Sequence, residues 1–159
     1  LDRHRTLVFY YKIASLYFGS GDAEKSIDYL NKIINLKVDL RTDLQCYARL
    51  LHMIAHYEMG NFDLLKYLLK SVYRFMAKMQ NLSAAEEAVF SFLKQSFHSS
   101  PNKVKPLFQN LLSELKGMAN DRMETRAFMY LDFISWLESK IENRKIGDII
   151  KEKAKLSNR

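Results

Sequence analysis

The sequence predicts an all-α fold of stacked antiparallel helical hairpins, about seven to eight helices long, and three observations carry that expectation. Gly and Pro number only 5 and 2 in 159 residues while hydrophobic residues make up 48%, a composition of long regular elements rather than turn-rich sheet. Apolar residues recur at three- and four-residue intervals along most of the chain. Short segments carrying helix stop and start signals separate these stretches. A chain of this length is expected to form a single helical domain over 1–159, with one sizeable core.

Residues 7–18, Leu-Val-Phe-Tyr-Tyr-Lys-Ile-Ala-Ser-Leu-Tyr-Phe, are too long and too apolar for a strand with one wet face, and Gly19-Ser20-Gly21 ends this first helix. Asp22 offers an oxygen to the free amides of the next turn, and Ile27, Leu30, Ile33 and Ile34 follow at helical spacing to about Leu36. Residues 41–59 form a third helix striped by Leu44, Tyr47, Leu50, Leu51, Ile54 and Tyr57. Gly60-Asn61 stops it and caps a fourth, from about Phe62 to Lys78. Ser83 with Glu86 is a capping box, in which each side chain serves a backbone amide of the other's turn, so a fifth helix covers about 84–97. His98 to Asn102 breaks the pattern. Because proline is tolerated in a first turn, the sixth helix is expected to begin just before Pro106 and to end near Lys116-Gly117. Asp121 with Glu124 opens a long seventh helix through Phe128, Leu131, Ile134, Leu137 and Ile141, and a short eighth spans about 145–155. Loops of about 2 to 8 residues make successive helices antiparallel neighbours. The chain therefore parses into hairpins at 7–36, 41–79 and 83–117, with C-terminal helices over 121–155.

The first two hairpins overlay. Tyr10, Ile13, Ala14, Tyr17 and Gly21-Asp22 correspond to Leu50, Met53, Ile54, Tyr57 and Gly60-Asn61, with the turn glycines 39 residues apart and one residue fewer between Tyr57 and Gly60. A unit that recurs in this way is one that cannot bury its apolar face alone and stacks on the next. With Ser26, Leu30 and Ile33 at the packing positions of its second helix, the segment Tyr10 to Ile34 resembles a tetratricopeptide repeat. The second copy departs from that pattern in having Leu65 where a small residue is usual, and in a linker longer than the family's period of about 34 residues. The resemblance covers about residues 7–78; beyond residue 80 the hairpins rest on periodicity. A repeat pair followed by divergent helices is similar to the C-terminal ends of bacterial repeat proteins, which makes this chain read as the C-terminal part of a longer one.

The resemblance implies a non-catalytic protein-interaction or scaffold module, without a cofactor, in which the first helix of each hairpin lines a concave groove. The matching positions are Val8, Tyr11, Ser15 and Phe18 in the first unit and Ala48, Leu51, Ala55 and Glu58 in the second, mostly apolar. So apolar a surface must be covered: by the chain's own helices, by a second copy, by missing N-terminal repeats, or by a partner helix. Cover by the same protein is the expectation. The Lys and Asn with which some members of the family grip a terminal carboxylate are absent from these positions.

The net charge of +7 raises nucleic acid as a partner. Its distribution is even, with 12 Lys and Arg against 8 Asp and Glu in residues 1–80 and 13 against 10 in residues 81–159, which fits a mildly basic solvated surface. The one concentration is Lys66, Lys70, Arg74 and Lys78, an i, i+4 ladder on the fourth helix with Tyr67 and Tyr73 nearby. It reads first as a solvated outer face, with Leu65, Leu68, Leu69, Val72 and Phe75 turned inward, and second as a stripe able to neutralise phosphates. The tail from Arg144 to Arg159, six positive and two negative residues, reads as a frayed soluble end.

His52 and His56 stand four apart, so both rings could face one metal, but Met53 occupies the place of a zinc protease's general-base Glu and no third ligand follows. They read as polar-face residues beside Gln45 and Arg49. Trp136, Phe128, Tyr130 and Phe133 are core at helical period. No nucleophile elbow, glycine-rich phosphate loop, zinc-ligand pattern or carboxylate pair is present, so no catalytic residue is assigned. Cys46, alone, forms no internal disulfide. With no membrane span or signal peptide in view, a cytoplasmic location is expected.

Overall fold

A computed structural model describes residues 2–36, 41–79, 82–118 and 132–158, and every regular element among them is helical. The helices are α1 (Arg3–Gly19), α2 (Ala23–Ile34), α3 (Thr42–Glu58), α4 (Phe62–Met79), α5 (Ala84–Ser96), α6 (Pro101–Met118), α7 (Phe133–Glu142) and α8 (Ile146–Ser157). The contacts gather into two compact units, Leu1–Asn81 and Leu82–Arg159. None of the described helices is long and apolar enough to cross a membrane.

Side-chain caps set several helix starts. Asp22 accepts from the Lys25 amide at 3.0 Å and Ser83 from that of Glu86 at 3.1 Å, as their positions in the sequence implied. Asp2 accepts from the His4 amide at 3.0 Å and starts α1 four residues before its apolar run. Two expectations are corrected. The sixth helix begins at Pro101, whose fixed φ suits a first helical position, and Pro106 lies inside it at the cost of one backbone bond. The long seventh helix is not one helix through to Ile141: Asp132 leaves helical geometry at ψ 60° and accepts from the Ser135 amide at 3.1 Å, so α7 begins at Phe133. The Asp121–Glu124 box, Phe128, Tyr130 and Leu131 lie outside the described residues.

In the first unit α1 packs on α2, α2 on α3 and α3 on α4, and α1 also reaches α3. The α1–α2 approach is close because small residues meet there: the buried Ser26 hydroxyl donates to the Ala14 carbonyl at 2.8 Å. α3 is the centre of the unit. From Leu44 to His56 every residue except Arg49 is buried, whether apolar or polar. Leu7, Leu30, Ile33, Leu44, Met53, Ile54, Leu65 and Met76 are the large fully buried side chains, each worth about 1.5–3 kcal/mol of burial.

The helix pairs α1–α2 and α3–α4 share one register at their starts and turns. α1 and α3 start and end 39 residues apart, as do the starts of α2 and α4. The turns between them repeat bond for bond: Ser20, Gly21 and Asp22 donate to Leu16, Phe18 and Tyr17, and Met59, Gly60 and Asn61 donate to Ala55, Tyr57 and His56. Gly21 and Gly60 both take positive φ, 89° and 74°, where a Cβ is strained. Aligning Tyr17 with Tyr57, at 40 residues, therefore sets the third helix one residue out; the structural counterpart of Tyr17 is His56.

In the second unit α5 packs on α6, α6 on α7 and α7 on α8. Trp136 and Phe133 are core, as their period indicated. The indole meets Phe92, Phe108 and Phe133 edge to face, with ring centroids 6.5, 5.6 and 5.8 Å away. The basic tail is not frayed. It forms α8, which Lys153 ties to α7 by donating to Ser135 Oγ and Glu138 Oε1 at 2.8 Å, while Arg144 pairs with Glu152.

Candidate functional site

The groove positions are closed. Tyr11, Phe18, Ala48, Leu51 and Ala55 are buried in the chain, Val8 and Ser15 are half-buried, and Glu58 alone is exposed. The 39-residue register explains the odd member: the residues equivalent to Val8, Tyr11, Ser15 and Phe18 are Tyr47, Leu50, Ile54 and Tyr57, and Glu58 is not among them. Ser15 Oγ is buried with no hydrogen-bond partner among the described residues.

α4 presents the opposite situation. It buries only Leu65, Val72 and Met76, a narrow stripe, while Leu68, Leu69 and Phe75, expected to turn inward, are half-buried. Lys66, Lys70, Arg74 and Lys78 are all exposed, and each lies about 40° further round the outer surface than the one four residues before it. Among the described residues none of the four enters an ion pair or a hydrogen bond, and Asp63, also exposed, is the acidic residue at the start of this helix. Tyr67 lies among them at 70% exposure, and Leu64, Tyr73 and Met79 are exposed at the edges of the face. Two cations of α2 are engaged by contrast: Lys25 sits 5.5 Å from the Tyr17 ring centroid and Lys32 5.0 Å from that of Tyr29.

Two features escaped the sequence reading. Phe9 and Leu16, taken as part of an all-round apolar helix, are 60% and 74% exposed on the outer face of α1, beside the exposed Arg5 and Lys12. The polar stripe of α3 is buried rather than solvated. Gln45 Nε2 reaches the Ile33 carbonyl at 3.3 Å, and Arg49 lies 3.7 Å over the Phe75 ring while donating to Gln45 Oε1 at 2.7 Å. His52 Nε2 lies 3.1 Å from Asn31 Oδ1 of α2 and 3.3 Å from His56 Nε2, and His56 Nδ1 lies 3.0 Å from Asn61 Nδ2 in the α3–α4 turn. Burial first, then the charges of His56 and Arg49, pushes His52 down to about 4, and burial lowers His56 as well. Both imidazoles are therefore neutral at pH 7. The spacing of 45, 49, 52 and 56 reveals a shared face, but only the fold reveals what covers it.

Among the described residues no group of three or more His, Cys, Asp or Glu gathers. Compared with protein-family models, with curated proteins and with solved structures, the chain gives no match.

Proposed function

We propose that this chain is a non-catalytic module of helical-repeat type, related in design to tetratricopeptide hairpins, that holds another protein against the outer face of α4. The observation that carries the reading is the coincidence on one helix of four exposed cations that form no ion pair among the described residues and the exposed Tyr67 and Leu64. A surface of this kind complements an acidic helix with an apolar edge: ion pairs at the rim steer and orient, and desolvation of the tyrosine and leucine contributes affinity. The shared 39-residue turn register and the order of helix contacts support the stacked-hairpin design, and the closed groove leaves the outer faces for partners.

The same four cations favour a second reading, a nucleic-acid interface, with Tyr67 as a stacking platform. Salt separates the two. A single-stranded oligonucleotide neutralised by all four side chains has a log–log salt slope of about −2.8, and binding vanishes when Lys66, Lys70 and Arg74 become Ser. A labelled acidic amphipathic peptide bound in the proposed mode shows a shallower slope and also loses affinity in a Leu64→Ser, Tyr67→Ser variant. Tighter binding of the oligonucleotide than of the peptide overturns the first reading.

A further inference from the structure

The repeat within the first unit says what one open side of α1 is shaped to receive. Carried forward by 39 residues, the spacing of the helix starts and of the turn hydrogen bonds, Arg5, Phe9, Lys12 and Leu16 fall on Leu44, Ala48, Leu51 and Ala55 of α3. The first four side chains are exposed and the second four are buried. At about 100° per residue each set lies within about 60° of arc, so each is one stripe along its helix.

The difference comes from what packs on each helix. Both have their own following helix, α2 on α1 and α4 on α3, but α3 packs also on the α1 and α2 that precede it. Its stripe is closed by that preceding pair. The stripe of α1 is the same face without such a pair, and its side chains are of another kind. Arg5 and Lys12 stand in the places of the two leucines and enter no ion pair or hydrogen bond among the described residues. Phe9 and Leu16 stand in the places of the two alanines and are 60% and 74% exposed. Cation and apolar side chain thus alternate, each kind recurring after two turns, about 10.5 Å.

Charge and area select the occupant. Like charges oppose a second copy, whether it offers α4, the counterpart of α2, with Lys66 and Lys70 exposed, or its own α1. Phe9 and Leu16, at most about 250 Å² each, also fall short of the about 800 Å² per partner that a standard interface buries. They suit the weaker attachment of a single helix.

We propose that the stripe of Arg5, Phe9, Lys12 and Leu16 docks one amphipathic α-helix of a partner protein, lying along α1 as α2 lies along α3. That helix presents carboxylates seven residues apart to Arg5 and Lys12, and apolar side chains between and beyond them to Phe9 and Leu16. The stripe shares no residue with the face of α4, so the inference stands whether or not α4 holds a partner.

The test is fluorescence anisotropy with a labelled alanine-based helical peptide of about 18 residues, in which Glu, Leu, Glu and Leu follow one another at intervals of four, three and four. The full chain carries Lys66→Ser, Lys70→Ser and Arg74→Ser throughout, which removes the charge of α4 from the result. One-to-one binding is expected. Adding Phe9→Ser and Leu16→Ser is expected to weaken it at least about tenfold, with circular dichroism unchanged. Arg5→Glu with Lys12→Glu is expected to abolish binding, and a peptide with Lys in place of Glu to restore it; this exchange decides if the Ser pair does not fold. No binding tighter than about 1 mM overturns the proposal. So does affinity indifferent to the Ser pair, failure of the charge exchange, or tighter binding of a single-stranded oligonucleotide. A dimer by light scattering that Phe9→Ser with Leu16→Ser makes monomeric also overturns it, assigning the stripe to a second copy.

Discussion

Leu51→Glu tests whether the groove positions are core. Leu51 is 4% exposed on α3, the helix buried nearly all round. Replacing it removes a buried leucine, a loss of about 2–5 kcal/mol by the behaviour of large-to-small core changes. It also takes a carboxylate out of water without a partner, which costs several kcal/mol more unless the group is protonated. Together these reach at least about 5 kcal/mol, comparable to the whole stability of a small domain, about 5–15 kcal/mol. The expected outcome is loss of cooperative thermal unfolding by circular dichroism at neutral pH, with Glu58→Leu on the same helix within about 0.5 kcal/mol of wild type because Glu58 is exposed. The readout is a melt paired with solution mass from light scattering. A Leu51→Glu chain that stays folded near the wild-type melting temperature, with an altered mass, would show that the face is an open association surface and refute the burial reasoning.

Three further outcomes follow from the same geometry. The chain loses stability in mild acid: His52 is at about 4 folded against about 6.5 unfolded, so its contribution is complete above 6.5 and is lost as pH falls toward 4. The loss is about 2 kcal/mol by pH 5, measured as a shift of the urea midpoint, and His52→Gln flattens it. Gly60→Ala, at φ 74°, costs about 1–2 kcal/mol in a thermal melt because the turn demands a left-handed residue. Replacing Lys66, Lys70 and Arg74 by Ser leaves the melting temperature nearly unchanged, since all three are exposed and none is paired among the described residues.

Much of the fold was legible because local chemistry declares it. Asp22 and Ser83 cap where their oxygens reach amides three residues on, and Gly21 and Gly60 mark turns that only a residue free of Cβ adopts without strain. What misled was similarity between side chains: Tyr57 looks like Tyr17, yet the turn hydrogen bonds equate Tyr17 with His56, because backbone geometry sets register and side-chain likeness does not. The start of α6 was misplaced because Pro101 and Pro106 both allow a helix start, and tertiary packing carries α6 through the second one. Asp132 was passed over inside an apolar period that continues on either side of it. The ladder on α4 was visible as charge spacing, while its lack of ion partners among the described residues depends on the neighbouring helices. The polar stripe of α3 was the least legible feature. Its partners Asn31, Asn61 and Phe75 come from three separate segments, and periodicity says which residues share a face without saying whether water or protein lies against it.

The measurement that bears most directly on the proposed function is fluorescence anisotropy of a labelled acidic amphipathic peptide, titrated with wild type and with the Lys66→Ser, Lys70→Ser, Arg74→Ser variant. Saturable binding by wild type, weakened at least about tenfold in a variant of unchanged helicity, is the predicted result, since rim and central charges together steer and hold such a partner. No binding by wild type, or binding indifferent to the three substitutions, contradicts the assignment of α4 as the partner surface.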